Sequence, residues 1–299
     1  MDVAISGASG LIGSALSASL RADGHRVLHL TRGGVSGGDA IGWDPDAGRI
    51  DAPALEGVDA VVHLAGEGIG EKRWTDEQKR QIRESRVRGT AVLAGAVASR
   101  ERKPRVFVSG SAIGYYGNRG DEVLTEQSAP GDDFLSQVCV AWEAESQTAA
   151  DAGVRTVLLR TGIVLDAHGG ALAKMLLPFK LGVGGRQGSG KQWMSWVALV
   201  DEVGAIRHAI DNEAVRGPVN VVAPNPVTNA DFARTLGHAL HRPTVLPTPL
   251  LPLKLRFGAE LVGSLLMASQ RVEPSRLMAT GYEFTCASLD VALHAILQI

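Results

Sequence analysis

Apolar residues open the chain in a pattern that predicts a strand, a turn, a helix and a second strand. Residues 2–6 form a short apolar run, residues 14–20 have the spacing of an amphipathic helix, and residues 27–32 form a second apolar run. The turn between the first run and the helix reads Gly7-x-x-Gly10-x-x-Gly13. Glycines in this place let backbone approach a pyrophosphate, and the helix N-terminus offers it unpaired N–H groups. The pattern predicts a dinucleotide-binding unit.

Three later apolar runs predict the rest of a sheet. They cover residues 59–66, 105–111 and 155–165, and each has the length of a buried parallel strand. Helices are predicted over 75–100, where Thr75 and Gln78 form a capping pair, and over about 133–152. We therefore predict an α/β fold with a Rossmann-type doubly wound parallel sheet over residues 1–165. In such a sheet the ligand lies at the carboxyl ends of the strands.

The pattern loosens after residue 165, which indicates a smaller C-terminal substrate lobe over residues 166–299. Strands near 193–223 are expected to return to the Rossmann domain. Helices are predicted over 171–181 and 228–241, the second capped by Thr228, and one or two apolar helices over 250–270. The 250–267 stretch suits either a homodimer contact or packing inside the lobe.

Composition excludes several classes of protein. The net charge of −2 provides no basic surface for nucleic acid or for an anionic membrane. The stretch 246–270 is interrupted by Lys254, Arg256 and Glu260, so it is not expected to span a bilayer. Two cysteines, Cys139 and Cys286, suit a reducing compartment, and we expect a cytoplasmic protein. His238 and His241 share a helix face but lack a third ligand, so no metal is predicted.

The end of the second apolar run predicts which dinucleotide binds. An NAD site usually carries an acid about 20 residues after the glycines, where it accepts hydrogen bonds from the ribose hydroxyl. Here the chain has Thr31 and Arg32, and the next acid is Asp39. A solvated arginine at a strand end is the alternative. Because the acid is missing and Arg32 can pair with a 2′-phosphate, we predict NADP as the cofactor.

Several motifs together resemble the extended short-chain dehydrogenases/reductases, the NAD(P)-dependent epimerase/dehydratase superfamily. They are the glycine turn, His63-Leu64-Ala65-Gly66, Ser111 before Tyr115-Tyr116-Gly117, and Trp196-Val197-x-x-Val200-Asp201-Glu202-Val203. Others look like an atypical, poorly characterised subgroup often labelled as sugar-nucleotide epimerases: Trp43-Asp44-Pro45, Ala65-Gly66-Glu67, Ser85-Arg86 and Trp142-Glu143. The 270–282 segment resembles that subgroup's small C-terminal module, which we place at about 247–296.

The resemblance implies a set of site residues. Ser111 matches the superfamily's active-site hydroxyl, which bonds the substrate carbonyl. Arg86 is implied to turn inward from its helix, toward the cofactor. The implied cofactor-binding residues are Gly7, Ser9, Gly10, Leu11, Ile12, Gly13, Thr31, Arg32, His63, Leu64, Ala65, Gly66, Gln81, Arg86 and Ile163. For the His63 side chain, a satisfied core histidine is the alternative interpretation.

The chain departs from the superfamily at its catalytic pair, Tyr-x-x-x-Lys. If Glu143 is the acid that follows the lysine, the pair falls at Leu135 and Cys139. Neither residue is a usual general acid or base. Tyr115 or Tyr116 can supply a phenol from the preceding loop, and Glu67 or Lys174 can contribute from other segments. A phenol without an adjacent cation keeps a pKa of about 10, which suits this chemistry poorly at neutral pH.

Two functions from different classes follow from these residues. The first is an NADP-dependent oxidoreductase or epimerase for a small carbonyl or sugar-like substrate, with Ser111, Tyr115 and Tyr116 as catalytic residues. The second is an NADP(H)-binding sensor or regulatory protein that has lost its chemistry. A third hypothesis is an isomerase that uses bound cofactor without net redox change.

Overall fold

The computed structural model describes residues 1–33 and 37–298 of the chain. Its strands, numbered in chain order, are β1 (Asp2–Ser6), β2 (Arg26–Arg32), β3 (Ala40–Asp44), β4 (Arg49–Ile50), β5 (Ala60–His63), β6 (Val106–Ala112), β7 (Val123–Leu124), β8 (Arg155–Thr161), β9 (Ile163–Leu165), β10 (Trp193–Met194), β11 (Trp196–Ala198), β12 (Gly217–Val221), β13 (Val227–Thr228) and β14 (Arg271–Val272).

Helices connect these strands. In chain order the α-helices are α1 (Leu11–Ala22), α2 (Asp76–Ala98), α3 (Phe134–Glu145), α4 (Gln147–Asp151), α5 (Gly170–Lys180), α6 (Leu199–Asp211), α7 (Asn229–Ala239), α8 (Leu250–Phe257), α9 (Ala259–Leu261), α10 (Ser275–Ala279) and α11 (Leu289–Leu297). Short 3₁₀ turns cover Ala52–Leu55 and Ile113–Tyr116, and Val262–Met267 is a π-helix.

One eight-stranded sheet forms the centre of the molecule, in the order β12-β8-β6-β5-β1-β2-β3-β4. All neighbours pair in parallel except β3 and β4. The strand order reverses at β1, which lies between β5 and β2, and ligands of such sheets bind beyond the carboxyl ends of strands at this point. The predicted α/β fold with a Rossmann-type doubly wound sheet is confirmed.

Both faces of the sheet are covered, which explains why its strands are apolar throughout. On one face Val3 and Ile5 of β1 pack with Leu16 of α1 and Ile206 of α6. On the other face Ala4 packs with α2 and α4. Val3 and Ile5 face one side of the sheet and Ala4 faces the other, because successive side chains of a strand point to opposite faces.

Two predicted helix starts agree with the structure, and one predicted helix is divided. The Thr75 hydroxyl accepts from the Gln78 backbone N–H at 3.2 Å, so α2 begins where its capping residues indicated. Thr228 caps α7 in the same way. The helix predicted over 133–152 is α3 and α4, which meet at Ser146.

The second half of the chain builds a smaller core. Its members come from α5, α7, α11 and β11 and include Leu176, Trp196, Phe232 and Leu293. Two elements of this half pack with the N-terminal part of the chain. Strand β12 pairs with β8 in the large sheet, and Leu277 of α10 packs in the core on one face of that sheet. The domain boundaries drawn from the sequence stay a prediction.

The stretch predicted as one or two apolar helices, 250–270, is α8, α9 and the π-helix. Much of it is exposed, including 68% of Leu251 and 71% of Leu255. In residues 1–33 and 37–298, no helix combines the length and the apolar character that crossing a membrane requires.

Candidate functional site

Two positions of the predicted turn must be glycine, because neighbouring backbone lies too close to leave room for a side chain. Gly7 has a φ of +70°, and a Cβ there would lie 2.8 Å from the carbonyl carbon of Leu64. A Cβ on Gly13 would clash with the Gly7 carbonyl oxygen and lie 2.8 Å from Ala8 Cα. These neighbours are backbone atoms, so they can give way only if the strand or the helix moves. The two glycines therefore set how closely α1 approaches the ends of β1 and β5.

The N-terminus of α1 is open to a ligand. Gly10 is its N-cap residue, and no side chain caps the helix. A Cβ on Gly10 would meet only the Gly7 carbonyl oxygen, at 3.3 Å. Ser9 and Gly10 are exposed, whereas the predicted cofactor residues Leu11 and Ile12 are half-buried. Because the first N–H groups of a helix have no partner within it, this turn fits a phosphate group.

Ser6 and His63 join the carboxyl ends of β1 and β5. The Ser6 hydroxyl lies 2.5 Å from His63 Nδ1 and accepts from the backbone N–H groups of Leu64 and Ala65. Its own proton is therefore assigned to His63 Nδ1. Burial, aided by the Arg86 charge, lowers the pKa of His63 to about 4, so its ring is neutral. The His63 side chain is therefore a core residue that is linked to the Leu64 and Ala65 backbone through the Ser6 hydroxyl, and its Nε2 has no hydrogen-bond partner among the described residues.

Arg32 lies at the carboxyl end of β2, beside half-buried Thr31. Its side chain is exposed, and within residues 1–33 and 37–298 no carboxylate forms an ion pair with it. Hydrogen bonds from Lys72 and Gln78 hold the pKa of the Glu67 carboxyl below its usual value, and the Arg32 charge acts in the same direction. Arg32 and the loop that follows β5 thus border the same region.

Helix α2 contributes Arg86 and Gln81. Arg86 Nη1 donates to the Glu67 carbonyl oxygen at 2.9 Å, and a Cβ on exposed Gly66 would lie 3.2 Å from Arg86 Cζ. Gln81 is exposed and donates to Glu77 at 2.7 Å. Since Gln81 precedes Ser85 by one helical turn, and Ser85 accepts from the Glu67 N–H, Gln81 borders the loop after β5.

Ile163 begins β9, and its N–H donates to the Ser195 carbonyl at 2.9 Å. The chain after this strand returns to the phosphate-binding turn, because a Cβ on Gly169 would lie 2.9 Å from Leu11 Cδ1. The structure thus brings the predicted cofactor residues to the carboxyl edge of the sheet, with Gln81 at its margin.

Ser111, at the end of β6, belongs to a buried charged network. Its hydroxyl donates to Glu143 Oε1 at 2.6 Å. Arg160 on β8 donates to both Glu143 oxygens, at 2.8 and 2.9 Å. The Arg160 and Glu143 side chains are only 4% and 10% exposed. Burial alone would lower the pKa of Arg160, but the hydrogen bonds and the charge of Glu143 outweigh it and raise that pKa.

Tyr116 is fully buried, and its hydroxyl is used within the protein. It donates to Asn220 Oδ1 at 2.6 Å and accepts from Arg160 Nη1 at 3.0 Å. Burial raises the pKa of Tyr116 to about 12. A phenol with no access to solvent and with both hydrogen bonds made cannot reach a substrate, so the structure argues against the predicted catalytic role of Tyr116.

Tyr115 is half-buried and packs edge to face against Tyr116. The Arg160 guanidinium carbon lies 3.4 Å from the Tyr115 ring centroid, a cation–π contact. No hydrogen bond joins the Tyr115 hydroxyl to another residue within 1–33 and 37–298. Arg160 is thus the cation beside these two phenols that the sequence could not locate.

The different environments of the two tyrosines predict different losses of stability. Tyr116→Phe should lower the free energy of unfolding by about 1–3 kcal/mol, because Asn220 and Arg160 lose a buried partner. Tyr115→Phe should change it by less than about 0.5 kcal/mol. Urea unfolding of both variants measures this, and equal losses would contradict the assignment.

Leu135 and Cys139 occupy the place of the missing catalytic pair. A Cβ on Gly114 would lie 3.4 Å from Leu135 Cβ and 3.9 Å from Cys139 Sγ, so both side chains face the turn that bears Tyr115. Burial, with the Glu143 charge, raises the pKa of Cys139 to about 12. The thiol is neutral at physiological pH. The other candidates are engaged elsewhere, since Glu67 bonds Lys72 and Lys174 bonds Glu71.

Sequence reasoning missed Arg160 and Asn220. Arg160 did carry a signal, because it interrupts the apolar run 155–165 and a charge inside a buried strand needs a buried partner. Asn220 lies 104 residues after Tyr116 and carried no comparable signal. Among the residues described, no cluster of three or more metal ligands is present.

A Rossmann sheet with an open glycine turn at its switch point defines a dinucleotide-binding protein. Residues 3–222 match the model of the NAD dependent epimerase/dehydratase family, and residues 248–296 match a domain of unknown function, DUF1731. The chain belongs to the NAD dependent epimerase/dehydratase family, as the sequence motifs predicted. It is 44% identical to Epimerase family protein MT2273 of Mycobacterium tuberculosis, over 97% of this chain and 96% of that protein.

Solved structures also resemble the whole chain. The human epimerase family protein SDR39U1, crystallised with NADPH, superimposes with a TM-score of 0.90 at 36% identity and covers 100% of this chain and 99% of its own. A nucleoside-diphosphate sugar epimerase from Corynebacterium glutamicum has a TM-score of 0.82 at 37% identity over 99% of this chain and 58% of its own. The NADPH in the human structure agrees with the predicted choice of cofactor.

Proposed function

We propose that this protein is an NADP(H)-dependent oxidoreductase or epimerase that acts on a small carbonyl or sugar-like substrate. The observation that carries the proposal is the open N-terminus of α1 at the switch point of the sheet, where the glycine turn leaves room for a pyrophosphate. Exposed Arg32, which forms no ion pair with an acid among the described residues, supports a 2′-phosphate and hence NADP. The human relative's NADPH supports the same choice.

Ser111 and Tyr115 are proposed to contact the substrate. Bound NADP(H) supplies or accepts a hydride, and the residues around it must hold the reacting oxygen. Ser111 donates its single hydroxyl hydrogen to Glu143, so it cannot donate to a substrate carbonyl as the family resemblance implies, but its lone pairs stay available to accept from a substrate hydroxyl. Tyr115 carries a phenol beside Arg160 whose hydroxyl forms no hydrogen bond within residues 1–33 and 37–298. The Corynebacterium relative's name supports a sugar-like substrate.

Removing the Arg32 charge should change cofactor preference. In Arg32→Ala, NADPH binding should weaken by about 1.5–3 kcal/mol, roughly 10- to 150-fold, since one charge-assisted phosphate contact is lost. NADH binding should change little, because NADH lacks the 2′-phosphate. Titration of the purified protein with each nucleotide, followed by nucleotide fluorescence, measures both affinities.

Arg26→Ala is the matched control for this variant. Arg26 is also an exposed arginine of β2, but it lies at the opposite end of the strand and pairs with Asp39. Its loss should leave both affinities unchanged. If Arg32→Ala keeps the preference for NADPH, Arg32 does not bind the 2′-phosphate, and if neither nucleotide binds the wild-type chain, the proposed function is wrong.

A specific observation favours the sensor as a second candidate: apolar Leu135 and a neutral Cys139 face the active-site turn where the family carries Tyr and Lys. A sensor must differ between its reduced and oxidised complexes. Hydrogen exchange of the protein saturated with NADPH and then with NADP⁺ tests this requirement. Identical exchange in the two complexes would exclude a sensor.

A further inference from the structure

The turn Ile113–Tyr116, which carries Tyr115, is held at both ends by one side chain from the C-terminal part of the chain. Gln270 Nε2 donates to the Ile113 carbonyl oxygen at 2.9 Å and to the Gly117 carbonyl oxygen at 3.1 Å. Near the middle of the turn, the Ser136 hydroxyl lies 3.0 Å from the Gly114 carbonyl oxygen and 2.8 Å from Asp133 Oδ1, so its one hydrogen is shared between these two acceptors. A single amide group therefore spans the turn, and both of its hydrogens are used.

Gln270 is itself fixed by its backbone. Its N–H donates to the Trp193 carbonyl at 3.2 Å, and its carbonyl accepts from the Ser195 hydroxyl at 2.8 Å. That buried hydroxyl also accepts from the Val272 N–H at 2.9 Å. The amide is thus presented to the turn from a backbone that cannot rotate away without breaking these bonds.

The residues on either side of Gln270 bind the loop that follows the turn. The Ser269 N–H donates to Asn118 Oδ1 at 2.9 Å, and the Ser269 hydroxyl donates to the Gly120 carbonyl at 2.6 Å. On the other side β14 pairs in parallel with β7. Residues 269–272 therefore lie along the loop 117–124 and bind it at several points, and we call this segment the strap. Gln270 is the strap residue whose side chain contacts the turn.

We propose that Gln270 is a positioning residue for Tyr115, and that the C-terminal module of unknown function completes the active site through this strap. The inference rests on the proposed function where it assigns Tyr115 to substrate. Tyr115 is bonded through its backbone, since the Gly131 N–H donates to its carbonyl at 2.9 Å. In the part of the chain that the structure describes, its hydroxyl has no such bond. The position of that hydroxyl therefore depends on the conformation of the turn Ile113–Tyr116, and Gln270 holds this conformation through its two hydrogen bonds.

Hydrogen exchange measured by mass spectrometry tests the inference without any substrate. Gln270→Met keeps the shape of the side chain and removes both donors. The amides of Gly117 and Gly131, bonded to the Gly114 and Tyr115 carbonyls, should then exchange at least about tenfold faster than in the wild type. Nitration of Tyr115 by tetranitromethane should also accelerate. Affinity for NADPH should be unchanged, because the phosphate-binding turn is not touched.

Gln192→Met is the matched control. The Gln192 amide is buried and, like that of Gln270, donates to two carbonyl oxygens, of Gln187 and Leu266, each at 3.2 Å. This variant should leave exchange in the turn unchanged. If Gln270→Met does not fold, Gln270→Asn, which keeps the amide but shortens its reach, provides the same measurement.

The outcomes separate this inference from the proposed function. Wild-type exchange in the turn of Gln270→Met and Gln270→Asn, or equal acceleration in Gln192→Met, would overturn the role of Gln270. Absence of NADPH binding by the wild-type chain would overturn the proposed function while the exchange result stood.

Discussion

Replacing Glu143 by leucine is expected to lower the free energy of unfolding by about 3–5 kcal/mol, because the buried Arg160 guanidinium loses its charged partner. Arg160 makes two hydrogen bonds to Glu143 and is 4% exposed, so water cannot replace them. The Ser111 hydroxyl loses its acceptor at the same time. Urea unfolding, with the midpoint and slope determined for each variant, measures the loss.

Two further variants show whether the loss comes from burial of the charge. The exposed pair of Arg80 and Glu77 is the control, and Glu77→Leu should change stability by less than about 1 kcal/mol. Adding Arg160→Met to Glu143→Leu should restore a large part of the loss, because no uncompensated charge stays in the core. If the double variant is less stable than Glu143→Leu alone, the buried Arg160 charge does not destabilise the protein when Glu143 is absent.

The second large effect is expected at Gly13. Gly13→Ala should destabilise the protein by about 1–3 kcal/mol, since its Cβ would overlap the Gly7 carbonyl and press on Ala8. Any shift that relieves this overlap moves α1 away from β1 and changes the phosphate-binding turn. The variant should therefore also bind NADPH more weakly. The expected loss of affinity is about tenfold or more, which corresponds to the loss of one charge-assisted phosphate contact.

Gly95→Ala is the control for this change. Gly95 also lies within a helix, α2, but beyond the neighbouring turns of that helix no atom of the described residues lies within 4 Å of a Cβ built there. Alanine at that position should stabilise the protein by about 0.4–1 kcal/mol and leave NADPH binding unaltered. If Gly13→Ala and Gly95→Ala behave alike, α1 does not approach the strand ends as closely as the structure shows.

Features set by neighbouring residues could be predicted from the sequence. The unit β1-α1-β2 and its glycines lie within 32 consecutive residues, and the Thr75 cap lies three residues from its partner. Strand β3 was not predicted, because it is only five residues long and its two core residues, Ile41 and Trp43, are separated by a glycine. The 133–152 helix divides at Ser146 without a glycine or proline to indicate it.

The substrate half of the candidate site was less predictable, because distant residues build it. Tyr115 and Tyr116 are adjacent in sequence and similar in chemistry, and no local pattern distinguishes them. What separates them is Arg160, 44 residues after Tyr116, and Asn220, 104 residues after it. These partners come from β8 and β12, whose neighbours in the sheet are set by topology and not by periodicity.

The strap around Gln270 sets an order in which the two halves of the site can form during synthesis. Gln270 follows Ile113 by 157 residues, whereas the elements that bind a dinucleotide phosphate lie near the start of the chain. At about 5–20 residues per second, a ribosome takes roughly 8 to 30 seconds to synthesise those residues. Over this interval the phosphate-binding turn can close while the Tyr115 turn still lacks its clamp. A nascent chain therefore gains its nucleotide-binding half first, and the substrate half is assembled last.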